Sequence, residues 1–245
     1  MEKKMIKDDS KRTTLGRVLL NSTVYGRKAI RYGVFSIVLF GAIGCSSSRN
    51  VISSDEGINK WEIAKIDKGD SPNWIIYTRK IAGTNFLEYK IEGDVQSSPT
   101  ACVTSFRQDI YNQANDLENK KFPTYQIVNE SKDSLTTYVI HNEPFPLKDT
   151  EMSVRYIFYN DEEGSAGVRW NEAWDSNSTS PSKKLNRVET FRGQWNFSLV
   201  DADACDAVNS VSFDPKKMPL WLIEPMVFKF LKNGLEDLRE TTAEQ

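Results

Sequence analysis

From Phe86 to Val95 the sequence FLEYKIEGDV alternates cleanly. Leu87, Tyr89, Ile91, Gly93 and Val95 fall on one side, and Glu88, Lys90, Glu92 and Asp94 on the other. A period of two with one apolar and one charged side predicts a half-buried antiparallel strand. The compact run WIIYTRK just before it predicts another. In SSPTACVTSFRQDIYNQ the period changes. Ser98 followed by Pro99 is a helix start, since the hydroxyl can accept an orphan amide and proline lacks an amide the first turn cannot use. Val103, Phe106 and Ile110 then recur at helical spacing. Upstream, SSDEGINKWEIAKID predicts a short helix capped by Ser54, with a loose stripe of Ile58, Trp61, Ile63 and Ile66.

From Tyr125 onward strand patterns return: TYQIVNE, LTTYVIHN, MSVRYIFYN, GVRWNEAWD, VETFRGQWNFSLV and AVNSVSFD. Their separators, among them SKDS, NDEEGS and SNSTSPSKK, are rich in turn formers and predict hairpins in a meander. The period then switches for good. MPLWLIEPMVFKFLKNGLEDLRE carries Ile223, Val227, Phe230 or Leu231, Gly234 and Leu238 on one stripe, with Lys229, Lys232, Glu236 and Asp237 facing away. This predicts a long terminal amphipathic helix, with Pro219 near its start and a bend at Pro225. A helix with a wide apolar face needs an apolar surface to cover, and a curved antiparallel sheet supplies one. The predicted class is α+β, with the last helix gripped by the sheet.

The amino-terminal segment changes the picture. Arg27, Lys28 and Arg31 precede an apolar and small-residue run from Tyr32 to Gly44. That run is too short for a bilayer core, which needs about 20 residues. A basic flank, a short apolar stretch and a small-residue exit mark a secretory signal. AIGC, residues 42–45, resembles a bacterial lipobox, followed by Ser46, Ser47 and Ser48. The expectation is a signal peptide over 1–44, acylation at Cys45 and a serine-rich tether over 45–56. An uncleaved, short membrane anchor is the alternative. Residues 1–44 hold nine of the 32 Lys/Arg and three of the 34 Asp/Glu, leaving 23 basic against 31 acidic residues, a net charge of about −8. That balance argues against nucleic acid as a partner and against adhesion to anionic lipid through a basic face.

Several stretches carry a family resemblance: IIYTRK, FLEYKIEGDV with the SSP helix start, YVIHNEPFPLKD, GQW, and MPLWLIEP leading into the last helix. Together they resemble the START lipid-transfer domains, in a bacterial lipoprotein-like branch, over roughly Trp61 to Arg239. Glu143, Pro144, Phe145, Pro146 and Asp149 fit the family's acidic, Pro-aromatic-Pro and Asp pattern, which usually continues with arginine where Thr150 and Glu151 stand here. The resemblance implies a helix-grip fold over residues 57–242, a curved antiparallel sheet wrapped around the terminal helix. It also implies an elongated apolar cavity for a lipid or other hydrophobic molecule. The liners it points to are Leu87, Tyr89, Ile91, Trp170, Trp174, Trp195, Met226 and Phe230. Glu172 lies between two of the tryptophans. It orients a ligand's polar group if that strand face is inward and is a surface acid if outward. The family topology also brings Cys102 near Cys205, either as a disulfide or as two buried free thiols.

Catalytic chemistry finds little support. His141 is the single histidine, and no G-x-S-x-G elbow accompanies it. One histidine and two distant cysteines do not make a zinc site, and no phosphate-cradling glycine loop is present. No catalytic residue, metal or cofactor is expected. The expected function is a membrane-tethered binder of a hydrophobic molecule in the bacterial cell envelope, facing the periplasm. The alternative is an envelope interaction module with a collapsed cavity.

Overall fold

The structure, a computed structural model, describes residues 60–69, 72–84, 86–143, 148–174, 184–214 and 220–243. The expectations for the signal segment, Cys45, the tether and the Pro144–Pro146 corner lie outside these residues.

The alternation in FLEYKIEGDV forms a strand, β3 (Leu87–Val95), with Tyr89, Ile91 and Val95 buried on its inner side. Its neighbours are β2 (Ile75–Lys80) and β10 (Ala204–Phe213), both antiparallel. The remaining runs give β4 (Thr124–Glu130), β5 (Ser134–His141), β6 (Thr150–Asn160), β7 (Ala166–Glu172) and β9 (Phe191–Asp201). Two strands were not expected: β1 (Glu62–Ile66) and the two-residue β8 (Asn186–Arg187), which runs parallel to β6. The sheet order is β1-β2-β3-β10-β9-β7-β6-β5-β4. The predicted meander therefore folds onto the first hairpin through the β10–β3 pair.

The helix expected over 53–67 is corrected in its described part, where residues 62–66 are β1, paired to β2 with an irregularity between Ile63 and Lys65. As an edge strand it buries nothing, and Ile63 stays 58% exposed. It gives the outer edge of β2 a main-chain partner.

Helix α1 (Pro99–Asn115) starts as expected, with Ser98 Oγ accepting from the Ala101 amide at 3.3 Å. Helix α2 (Leu220–Ala243) lies over β3 and beside α1, with Ile223, Val227, Leu231, Leu235 and Leu238 buried. Leu231, not Phe230, faces the sheet core, and Leu235 completes the stripe. Pro225 lies inside the helix. Asp237, expected on the solvent side, is half-buried. At the crossing with β3, a Cβ on Gly93 would meet Leu235 Cδ2 at 2.7 Å and the Asn73 carbonyl at 2.8 Å. Glycine there lets the helix approach the strand. Arg239 clamps the same crossing, donating to the carbonyls of Asn73 (2.9 Å) and Asp94 (2.8 Å).

Candidate ligand cavity

The inward residues of β5, β6, β7, β9 and β10, with α1 and α2 above them, line a partly open cavity of ≈ 90 Å³. Phe106 and Asp109 face it from α1, and Phe230, Gly234 and Leu238 from α2. The sheet supplies Val139, Met152, Val154, Tyr156, Trp170, Phe191, Trp195 and Asn209. The Trp170 indole is wedged among Phe106 (ring centroids 6.2 Å), Tyr156 (6.4 Å) and Phe191 (6.1 Å). Gly193 explains the glycine of GQW. It faces Trp170 across the β7–β9 ladder, and a Cβ there would lie 2.5 Å from Trp170 Cζ2 and 2.7 Å from Cε2. The bare backbone lets the indole lie flat across β9. Opposite, a Cβ on Gly234 would meet nothing nearer than Trp195 Cζ2 at 3.8 Å, an ordinary contact distance, so a small side chain fits there without a clash.

Three polar groups interrupt this apolar wall. Burial pushes the Asp109 carboxyl up to about 7; a hydrogen bond with Gln113 pulls the other way, and nearby Asp237 adds to the rise. Asn209 is 2% exposed, and its Oδ1 finds no hydrogen-bond partner among the described residues. The same holds for Trp170 Nε1. The described residues of the wall include no Lys, Arg or His.

Of the liners implied by the sequence, Trp170, Trp195 and Phe230 meet on this cavity. Leu87, Tyr89, Ile91 and Met226 are not among its lining residues. Tyr89 and Ile91 are packed in the solid part of the core, with Tyr89 against Phe213 (6.4 Å) and Phe228 (6.2 Å). Met226 is half-buried on α2, and Leu87 packs at the margin of the core.

Glu172 is not among the lining residues either; it pairs with the exposed Arg192, 2.6 Å from its Nη2. Partial burial raises its pKa, but hydrogen bonds from Arg192 and from the Phe191 amide outweigh that and hold the carboxyl below its ordinary range. Trp174 stands just past the end of β7. It stacks over the Arg187 guanidinium (3.8 Å to the ring centroid) and donates to the Val188 carbonyl at 2.8 Å. Arg187 in turn reaches the buried Glu151 at 2.9 Å, which also accepts from the Tyr138 hydroxyl at 3.0 Å. Glu151 on β6 thus holds an arginine from β8.

His141 is buried away from the cavity, 2.7 Å from Glu143 Oε1, which also accepts from Thr150 Oγ1 at 3.1 Å. The Glu143 amide donates to Asp149 Oδ1 at 3.0 Å. The motif residues thus knit the end of β5 to the start of β6. Cys102 on α1 and Cys205 on β10 are fully buried, with their sulfurs 3.7 Å apart and no disulfide between them. The hydrogen bond between them, together with burial, pushes the Cys102 thiol up.

Asp109 and Asn209 escaped the sequence reading, although each carried a signal. Asp109 sits three residues after Phe106 on the stripe of α1, and Asn209 takes an inward place between Ala207 and Val211. A polar residue in an apolar register is the mark of an interior site.

A wide antiparallel sheet gripping a long terminal helix over an apolar cavity is the START-like helix-grip fold. No family model matches the sequence, and no curated protein does. Among solved structures, the chain is similar to a STAR-related lipid transfer protein from Xanthomonas axonopodis, at 20% identity and TM-score 0.59, covering 75% of this chain and 98% of that one. It is also similar to human STARD10 (11% identity, TM-score 0.57, 75% and 73% of the two chains). Human StAR-related lipid transfer protein 5 gives 10% identity, TM-score 0.56 and 78% and 88% coverage.

Proposed function

We propose that this chain is a START-like domain, tethered to a membrane through Cys45, that binds a lipid or other hydrophobic small molecule in the bacterial cell envelope without transforming it. The observation that carries the reading is the cavity under α2, walled by Trp170, Trp195 and Phe230. The similar structures from Xanthomonas axonopodis and human are lipid transfer proteins, which supports the reading. Binding would be driven by removal of apolar surface from water, at about 25 cal/mol per Å². At ≈ 90 Å³ the cavity is smaller than the roughly 300–1,000 Å³ typical of ligand sites. A lipid-sized guest would therefore have to widen the cavity. The small volume also favours a second reading, an envelope interaction module whose cavity stays shut.

Titration of delipidated protein with the uncharged fluorophore 1-aminoanthracene separates the two. Saturable one-to-one uptake is expected, and a flat titration removes the binding reading. The envelope location carries a consequence of its own. Outside the reducing cytosol, the Cys102 and Cys205 thiols would lose two protons and two electrons to a disulfide-exchange partner and close a bond between α1 and β10. Protein isolated from the envelope and unfolded in denaturant should keep an unchanged mass after alkylation without reductant. Full labelling of both thiols would show that the pair stays reduced.

A further inference from the structure

Among the described residues that line the cavity, Asp109 is the one carboxyl, and it stands half-buried in a wall that includes Phe106, Trp170, Phe230 and Leu238. The cations of the surrounding elements are turned elsewhere. On α1, Arg107 donates to the Lys132 carbonyl at 2.7 Å and pairs with Glu130 of β4. On α2, Lys232 pairs with Glu236 at 3.0 Å, and Arg239 holds the carbonyls of Asn73 and Asp94. Arg155 of β6 and Arg169 of β7 alternate with buried residues and so lie on the outer face of the sheet, and Arg192 of β9 is engaged by Glu172. What faces Asp109 is the Gln113 amide, the acid Asp237 of α2, and the phenols Tyr125 of β4 and Tyr156 of β6, whose titration burial pushes up. Glu240 and Glu236 act on Asp237 and add only negative charge.

A carboxylate in this place keeps whatever hydration the open side of the cavity allows. A hydrophobic guest takes up that space and sets hydrocarbon against the carboxyl. The neutral acid tolerates the exchange far better than the anion does.

We propose that uptake of a hydrophobic guest is coupled to uptake of one proton by Asp109, so that acid loads the cavity and alkali empties it. This rests on the binding reading above and adds its regulation. In the protein alone the carboxyl titrates at about 7, and the guest moves it further in the same direction. Below that value the acid is neutral with or without the guest, and affinity is level with pH. Above it the free protein has lost a proton that the complex keeps. Affinity then falls by up to tenfold per pH unit, until the complex loses its proton too.

The test is titration with 1-aminoanthracene, which is uncharged throughout, at pH 6, 7, 8 and 9, on the wild type, Asp109→Asn and Asp237→Asn. The wild type is expected to bind about tenfold more tightly at pH 6 than at pH 9, and the slope of log Kd against pH counts the protons taken up. Asp109→Asn should bind at every pH within about twofold of the wild type at pH 6, because its neutral amide stands in for the protonated acid. Asp237→Asn should keep the slope. A wild-type Kd that is level from pH 6 to 9 would overturn the proton coupling and leave the binding site standing. A slope that survives in Asp109→Asn would overturn the assignment to Asp109, as would a folded Asp109→Asn that binds at no pH. Absence of saturable uptake by the wild type at any pH would overturn the binding reading, and this inference with it.

Discussion

Replacing Asp109 by asparagine is expected to stabilise the fold at pH 8 by a few kcal/mol, with roughly 4 as the upper end. The carboxyl titrates near its ordinary value, about 3.9, in the unfolded chain, and at about 7 in the folded one. Between those values the folded protein holds a proton that the unfolded chain has lost. Stability therefore falls as the pH rises from about 4 to 7 and levels off above. Of the groups facing Asp109, only the neutral amide of Gln113 relieves it, and in part; Tyr125 and Tyr156 are phenols, and Asp237 is a second acid. Asp237 is itself raised to about 6, by burial first and then by Glu240 and Glu236, so a smaller slope of the same sign should survive in the variant. Urea unfolding of both proteins at pH 5 and pH 8 measures the difference directly. A gap between variant and wild type that stays the same at both pH values would mean that Asp109 is not held in a desolvated site.

The second large effect is on binding. Gly234→Leu should weaken uptake of a hydrophobic ligand by at least tenfold, about 1.4 kcal/mol, without weakening the fold. A Cβ there meets Trp195 Cζ2 at an ordinary contact distance, 3.8 Å, and Gly234 lines the cavity, so the longer leucine side chain takes up cavity space that a ligand would need. Removing glycine from the helix interior also favours the helix by roughly 0.8–1 kcal/mol. Gly234→Ala serves as the control, with the helix gain and most of the cavity kept. Thermal unfolding and 1-aminoanthracene titration of the three proteins check both halves. A leucine variant that binds as well as the wild type would place the ligand elsewhere.

Much of the fold was legible because burial writes a period into the chain. The alternation of β3, the Ser98–Pro99 start of α1 and the stripe of α2 all survive in the structure. Elements without burial left no such trace. β1 is an exposed edge, and its isoleucines and Trp61 imitate a helical stripe. β8 is two residues held by Asn186 and Arg187 contacts to β6. On α2 the choice between Phe230 and Leu231 was open because adjacent residues stand about 100° apart, and both turned out to be used, Leu231 toward the sheet and Phe230 toward the cavity.

The site was less legible than the fold. Trp170, Trp195 and Phe230 were accessible as large apolar residues in inward register. Tyr89 and Ile91 look the same in sequence, yet β3 lies under the packed crossing of α2 at Gly93, where no space remains. Which inward residues border a void depends on how far a helix stands off the sheet, a tertiary quantity with no local signature. Asp109 and Asn209 break the apolar pattern, and only the paired register shows that they do so inside the protein.

What the protein carries in its own host tests the binding site most directly. Native mass spectra of the wild type and of Gly234→Leu, purified without detergent exchange, should differ by one non-covalent hydrophobic molecule, present on the former and absent from the latter. Two spectra that each show only the polypeptide with its covalent modification would contradict it.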